Sequence, residues 1–580
     1  MTAPVTTPVT TAPAALAAEA LIERHRPALD RALEAIRSRE YWSPHPEHPK
    51  AYGEGGNGTP GSLSAEQGQA AFDALRGSRF ELDGQPGTGG WASSEVSPYG
   101  LEMGIEYPRP DLDVLLPAMR EAMPAWREAG PQVRAAVCLE ILARISARTH
   151  EFAHAVMHTS GQAFMMAFQA GGPHAQDRGM EAVAYAYAEQ TRTPEAAAWS
   201  KPQGKRDPLD LSKHFTAVGR GVSLLIGCNT FPTWNSYPGL FASLATGNPV
   251  LVKPHPRAVL PLALTVRIAR DVLAEAGFDP NLVALAAERD GEGIAKELAV
   301  RPEIRIIDYT GSTAFGDWLE AHARQARVFT EKAGVNTVII DSTDDYKGML
   351  GNLAFSLSLY SGQMCTTPQN LLIPRGGIAT DVGEKSYDEV VGDLATAVGK
   401  LLGDDARAHA LLGALVNPQV RERVESAPAL GEVALAARSL DHPDFPGATV
   451  RTPVIVKLET AEPGAEAVWS EECFGPVSFA VAVGSTSDAV ALLRRTIRDK
   501  GAMTVGAYTT SPDAERMIED ACLDECAQLS LNLTGGVYVN QTAAFSDFHG
   551  SGGNPAANAA LCDTAFVADR FRTVEVRRPA

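Results

Sequence analysis

The chain has 580 residues, a formal net charge of −19, 45% hydrophobic residues and 21% charged residues. This is the composition of a folded globular protein, large enough for several domains. An acidic chain without a Lys/Arg-rich run excludes nucleic-acid binding along a phosphate backbone and argues against an anionic membrane surface.

The first residues, 1–14, are Thr/Pro/Ala low complexity and are expected to be disordered. They lack the basic start and Leu-rich core of a signal peptide. A helix pattern follows at 15–38, then the Pro- and Gly-rich loop YWSPHPEHPKAYGEGGNGTPG. A polar, Gly-rich stretch runs to about Tyr107 and reads as an irregular appendage. Helical stretches at 111–128 and 131–157 come next. Short apolar runs then alternate with helices: GVSLLIG (221–227), NPVLVKP (248–254), LVALAA, IRIIDY (304–309) and NTVIID (336–341). The helix 260–277 ends at Gly277, a natural cap. Continuous apolar strands joined by helices predict an α/β fold with parallel sheets. No stretch approaches 18 uncharged apolar residues, so no transmembrane helix is expected. The seven cysteines form no C-x-x-C pair, which indicates free thiols in a reducing compartment; the expected location is cytoplasmic. The final FRTVEVRRP reads as an edge strand able to pair with another subunit.

Five local motifs carry chemistry, and each alone admits a plain structural reading. In IRIIDYTGSTAFGDWLEAH, Gly311 allows close backbone approach, and Ser312 can cap a helix whose N-terminus suits a pyrophosphate. Lys253 ends a strand, where ligands bind in open parallel sheets. Cys365, in YSGQMCTTPQN, has the polar, glycine-containing setting of a nucleophile rather than of an inert buried thiol. Glu331 becomes a candidate base if it faces Cys365. SEECFGPV offers Glu472 to a ribose and Phe474 to a ring.

In this order and spacing the five resemble the aldehyde dehydrogenase superfamily over residues 110–580. The resemblance implies an aldehyde dehydrogenase-like α/β subunit with a Rossmann-type cofactor lobe, an α/β catalytic lobe and a small β oligomerisation element. The implied boundaries are an N-terminal extension (1–108), a nicotinamide-binding domain (109–330), a catalytic domain (331–545) and a C-terminal segment with the oligomerisation strand (546–580). A homodimer or homotetramer acting on a small aldehyde is implied, with no nucleic acid, membrane or metal partner. YWSPHPEHPKAYGE and FELDGQPGTGGW further resemble the phenylacetic acid degradation protein PaaN branch. That branch implies a semialdehyde of the ring-opened CoA thioester as substrate, and the chain has no room for a fused hydratase domain.

By resemblance, Cys365 attacks the aldehyde and Glu331 activates the water that hydrolyses the resulting thioester to a free acid. CoA-acylating relatives, the alternative within the class, typically lack that glutamate. Oxyanion donors, worth about 3–4 kcal/mol each, are the Cys365 backbone N–H and an asparagine. In CNTFPTWN the family's asparagine position holds Thr230; Asn229 is the expected donor and Asn235 the alternative. The usual E-L-G-G reads EKAG, with Lys332 and Ala333 as departures. Pro256 stands where NAD-specific members often carry a glutamate. Lys253, His255 and Arg257 then suggest NADP, with NAD as the other possibility.

A remote alternative is a zinc peptidase, because THEFAHAVMH contains an H-E-x-x-H. The metzincin extension fails at Met157 and Ser160, and the dehydrogenase motifs account for far more residues. HEFAH is expected to be part of a structural helix.

Overall fold

The computed structural model describes residues 12–56, 58–460 and 464–580. Of the segment expected to be disordered, residues 1–11 lie outside this description, whereas the first helix, Ala12–Ser38, already includes 12–14.

The two predicted parallel sheets are present. β1 (Ala196–Gln203) and β2 (Arg206–Gly219) form a long hairpin. The first sheet follows, from β3 (Val222–Ile226), β4 (Val250–Lys253), β5 (Val283–Leu285), β6 (Ile304–Thr310) and β7 (Arg327–Glu331). All its strands are parallel, in the order β5-β4-β3-β6-β7. Successive side chains point to opposite faces of a strand. Accordingly Val250 and Val252 of β4 enter the core on one face, and Leu251 enters a second core on the other. This two-sided burial is why the strands read as unbroken apolar runs. The order reverses between β3 and β6, opening a crevice at their carboxyl ends, where open α/β sheets bind ligands.

The second sheet comprises β8 (Thr337–Ile340), β9 (Asn370–Pro374), β10 (Glu432–Leu435), β11 (Val454–Glu459), β12 (Val477–Val483), β13 (Val505–Tyr508) and β14 (Leu529–Leu531), in the order β10-β11-β12-β9-β8-β13-β14. It is parallel except for the edge strand β10. The last strand, β15 (Phe571–Pro579), pairs antiparallel with β2, with Phe571 opposite Gly219 and Pro579 opposite Leu211. FRTVEVRRP is thus the edge of a three-stranded arm built with the chain's own hairpin.

Two helical expectations need correction. The stretch 111–128 is broken at Ala122 into Leu112–Glu121 and Met123–Glu128. The stretch 131–157 is broken at Arg148, whose φ of −111° and ψ of 17° leave the helical region, into Gly130–Ala147 and Thr149–Ser160. The N-terminal section is also no irregular appendage. Its helix Ala65–Asp73 packs on Thr149–Ser160. Phe72, Phe80, Met103, Ile105 and Tyr107 are buried in the core of the first lobe. Glu95 is buried too, and its Oε1 accepts from the backbone N–H groups of Val259 and Leu260 at 2.5 and 2.7 Å, at the start of helix Leu260–Glu275. Among the described residues no helix is long and apolar enough to cross a membrane.

Candidate active site

The carboxyl ends of β3, β4, β6 and β7 open onto a cleft of about 640 Å³, which Cys365 enters from the second lobe. Every predicted site residue lines it: Cys365, Glu331, Asn229, Lys253, His255, Arg257, Gly311, Ser312, Glu472 and Phe474.

The cysteine loop is held rigidly. Tyr360 and Ser361 both have φ of 51°, a left-handed conformation unusual outside glycine. Surrounding bonds impose it. The Tyr360 hydroxyl donates to the Ser160 carbonyl, and Ser361 Oγ donates to the Gly413 carbonyl at 3.0 Å. Gln363 donates to the Ala414 carbonyl at 3.1 Å and accepts from Val416 N–H at 2.9 Å. Gly362 is obligatory, since a Cβ there would lie 2.5 Å from the Gly475 carbonyl oxygen. Asn336 at the start of β8, unmarked in the sequence reading, donates to the carbonyls of Cys365 and Thr367 at 2.7 and 3.1 Å. Its own oxygen accepts from Met503 and Thr504 N–H groups.

Glu331 ends β7 with its carboxylate 3% exposed. Its Oε2 accepts from Asn235 Nδ2 at 3.1 Å and lies 3.3 Å from His549 Nε2, while Oε1 is buried with no partner. One ligand atom from each of Glu331, Cys365 and His549 lies within 4.8 Å of the others. Burial pushes the Glu331 carboxyl up, but His549, the Cys365 thiol and Asn235 together bring it below the usual glutamate value. Burial and the adjacent carboxylate hold the Cys365 thiol well above its usual value. The resting pair is therefore a thiol beside a carboxylate.

The two asparagines are both engaged. Asn229 Nδ2 donates to the Thr159 carbonyl at 2.9 Å, which ties one of its two amide protons to the backbone. Asn235 occupies the N-cap of helix Ser236–Ala245 but makes no capping bond, because its amide turns to Glu331.

The cofactor side fits a dinucleotide. Ser312 sits at the N-cap of helix Thr313–His322, but contrary to the capping expectation its side chain makes no cap bond. The terminal N–H groups stay available to an anion. Gly311 packs so closely on Tyr309 that a Cβ would lie 2.4 Å from the phenol oxygen. The departure at Lys332 lines the cleft, with Nζ paired to Asp317 at 2.8 Å and Glu320 at 3.3 Å. Burial pushes the Glu472 carboxyl up to about 7 against the pull of Arg423. The positive charges expected to attract a 2′-phosphate are not free: Lys253 is paired with Glu288, and Arg257 Nε and Nη2 donate to Asp290 Oδ2 at 2.8 and 2.7 Å. Both acids come from the segment after β5, which the reading around Pro256 did not consider.

HEFAH lies on helix Thr149–Ser160, away from the cleft. His154 and His158 stack on Phe72 with centroids 5.8 and 5.2 Å apart, and His150 packs on Phe168 at 5.0 Å. Glu151 is buried against Arg148. Burial drives His158 down to about 4. Among the described residues, no cluster suited to a metal ion includes these histidines.

Two crossover-linked parallel sheets with a cysteine and a glutamate meeting across one cleft define the class. Residues 106–560 match the aldehyde dehydrogenase family, and the chain belongs to it. A crystal structure of an NAD-dependent aldehyde dehydrogenase from Burkholderia multivorans is 54% identical, with a TM-score of 0.93 over 97% of this chain and 99% of that one. A 3,4-dehydroadipyl-CoA semialdehyde dehydrogenase from Aromatoleum evansii is 26% identical over 362 residues, 59% of this chain and 64% of that protein. A 1-pyrroline-5-carboxylate dehydrogenase from Bacillus subtilis is 32% identical over 197 residues, 33% of this chain and 35% of that protein. The chain thus spans from a third to just under two thirds of the length of these two curated relatives.

Proposed function

We propose that the chain is an NAD-dependent aldehyde dehydrogenase that releases a free carboxylic acid. The observation that carries this reading is the pairing of a cleft-lining cysteine with a buried carboxylate within 4.8 Å, at the mouth of a parallel cofactor sheet. Cys365 Sγ attacks the aldehyde carbon to give a thiohemiacetal. NAD, when bound, supplies the hydride acceptor. The thioester left on Cys365 is hydrolysed by water that Glu331 deprotonates through its unpartnered Oε1. Gly311, Ser312, Lys253, Glu472 and Phe474 bind the dinucleotide. NAD is favoured over NADP because Asp290 lines the cleft, Glu288 already neutralises Lys253, and the Burkholderia multivorans neighbour is NAD-dependent.

For the substrate we propose the ring-opened semialdehyde CoA thioester of phenylacetate catabolism. The N-terminal resemblance to the PaaN branch supports it, as does the Aromatoleum evansii relative, which acts on a CoA-linked semialdehyde. The arm of β1, β2 and β15 is the proposed contact of a cytoplasmic homodimer or homotetramer.

The test is NADH formation from a CoA-linked semialdehyde and from a plain medium-chain aldehyde, with wild type and Cys365→Ala. Turnover of the CoA-linked substrate without added CoA, lost in Cys365→Ala, is expected. A strict requirement for free CoA would reject hydrolysis, and preference for the plain aldehyde would reject the substrate.

A further inference from the structure

The proposed chemistry has an unsolved charge problem. Cys365 must react as thiolate, yet its thiol lies in a buried site beside a carboxylate. Two like charges this close oppose one another strongly. The other groups whose charge bears on Cys365, namely Cys228 and Glu472, are also acids. The oxyanion has a parallel problem. Thr230 holds the expected asparagine position, and Asn229 and Asn235 each direct one amide N–H elsewhere, to Thr159 and Glu331. The sequence motifs assign no base to the Cys365 thiol, and no oxyanion donor beyond the Cys365 N–H and these asparagines.

His549 answers both. It is 3% exposed, and its Nε2 lies 3.7 Å from Cys365 Sγ and 3.3 Å from Glu331 Oε2. The Trp234 ring abuts the imidazole edge to face, with centroids 4.6 Å apart, and the Leu561 N–H donates to the His549 carbonyl at 2.9 Å. The ring is therefore fixed between the nucleophile and the carboxylate. Both contacts fall on Nε2, so a single ring nitrogen faces the nucleophile and the carboxylate together.

We propose that His549 is a catalytic residue that accepts the Cys365 proton and then donates it as a hydrogen bond to the oxyanion. The Sγ–H bond breaks and an Nε2–H bond forms as Sγ bonds to the aldehyde carbon, and the carbonyl π pair moves onto oxygen. The nearby Glu331 carboxylate balances the charge of the imidazolium, and the new Nε2–H turns to that oxygen. When the alkoxide re-forms its carbonyl and the hydride leaves to NAD, the extra proton on His549 passes to solvent. The proposal rests on the dehydrogenase reading above, but its first test does not.

That test is the rate of iodoacetamide alkylation at Cys365 in the cofactor-free protein, followed by peptide mass spectrometry. The proteins are wild type, His549→Gln and His549→Ala. NAD affinity and melting temperature report whether each variant is folded. Alkylation at neutral pH should slow by about 100-fold in both variants, in the range of a lost general base, with NAD affinity unchanged. Added imidazole should speed the reaction in His549→Ala, a rescue that a packing role would not produce. The turnover number with aldehyde should fall in parallel while the Michaelis constant for NAD holds. Alkylation at the wild-type rate in folded His549→Gln overturns the proposal. So does slowed alkylation with undiminished turnover. If wild type oxidises no aldehyde yet alkylation still depends on His549, the dehydrogenase reading fails and the Cys365–His549 pairing stands.

Discussion

Lys253 and Glu288 form an ion pair buried at the end of β4, with side chains only 6% and 5% exposed. A lysine at that strand end looks free in the sequence, and a free lysine would welcome a 2′-phosphate. The paired one presents no net charge. The Glu288 carboxylate, whose Oε2 also accepts from the Ile294 N–H at 2.8 Å, cancels the attraction that Lys253 would offer a phosphate. Glu288→Gln should therefore raise the ratio of kcat/KM for NADP to that for NAD by about tenfold, or ~1.4 kcal/mol. Steady-state kinetics with both cofactors decide it. An unchanged ratio would mean that Glu288 does not set the preference.

Glu472 should make cofactor binding depend on pH. Burial raises its carboxyl to about 7, so near neutrality the free protein holds it partly protonated. Ribose hydroxyls donate to the ionised form, and NAD binding must then expel the proton. Affinity should rise with pH through about 7 and level off above it. Below that point the dissociation constant should grow towards tenfold per pH unit. Glu472→Gln should bind with a flat profile. Fluorescence titration of NAD between pH 5.5 and 8.5 tests this, and a flat wild-type profile would remove Glu472 from the cofactor site.

Removing metal should change nothing at the HEFAH helix. Its histidines spend their faces on Phe72, Phe168 and Phe164, and Glu151 is tied to Arg148. Aldehyde turnover should survive both a chelator and Glu151→Gln. Stoichiometric zinc that Glu151→Gln or His154→Ala releases would overturn this reading.

Much of the site was legible because its motifs are local. The C-terminal ends of apolar strands, a strand–glycine–helix turn and a cysteine in a polar loop each announce themselves within a dozen residues. What escaped depends on contacts between distant segments. Asn336 reaches Cys365 across 29 positions, and His549 reaches it across 184. His549 did carry a signal, since DFHGSGGN has the same polar, glycine-rich texture that marked Cys365. The N-terminal section misled for another reason. Its elements are short, such as helix Ala65–Asp73, yet Phe72, Phe80 and Tyr107 are each about 1% exposed. Periodicity needs a window longer than such elements provide.

A buried charged pair fastens the C-terminal segment to the cofactor sheet, beside the more exposed pair of Asp569 with Arg327 of β7. Arg570, 0% exposed, donates through Nη1 and Nη2 to Asp308 Oδ2 and Oδ1 of β6 at 2.8 and 2.6 Å. Its guanidinium also lies 4.3 and 4.1 Å from the ring centroids of Phe329 and Phe566. Phe329 is on β7, two residues before the strand ends at Glu331, so this contact steadies the strand that carries the proposed base. Breaking a buried pair strands a charge and costs about 3–5 kcal/mol. Arg570→Met should lower the melting temperature and, by loosening β7, slow turnover. Adding Asp308→Leu removes the stranded carboxylate and should recover most of the loss. Thermal melts of the two variants separate charge from packing: if the double variant melts no higher than Arg570→Met, the aromatic contacts rather than the ion pair hold the segment in place.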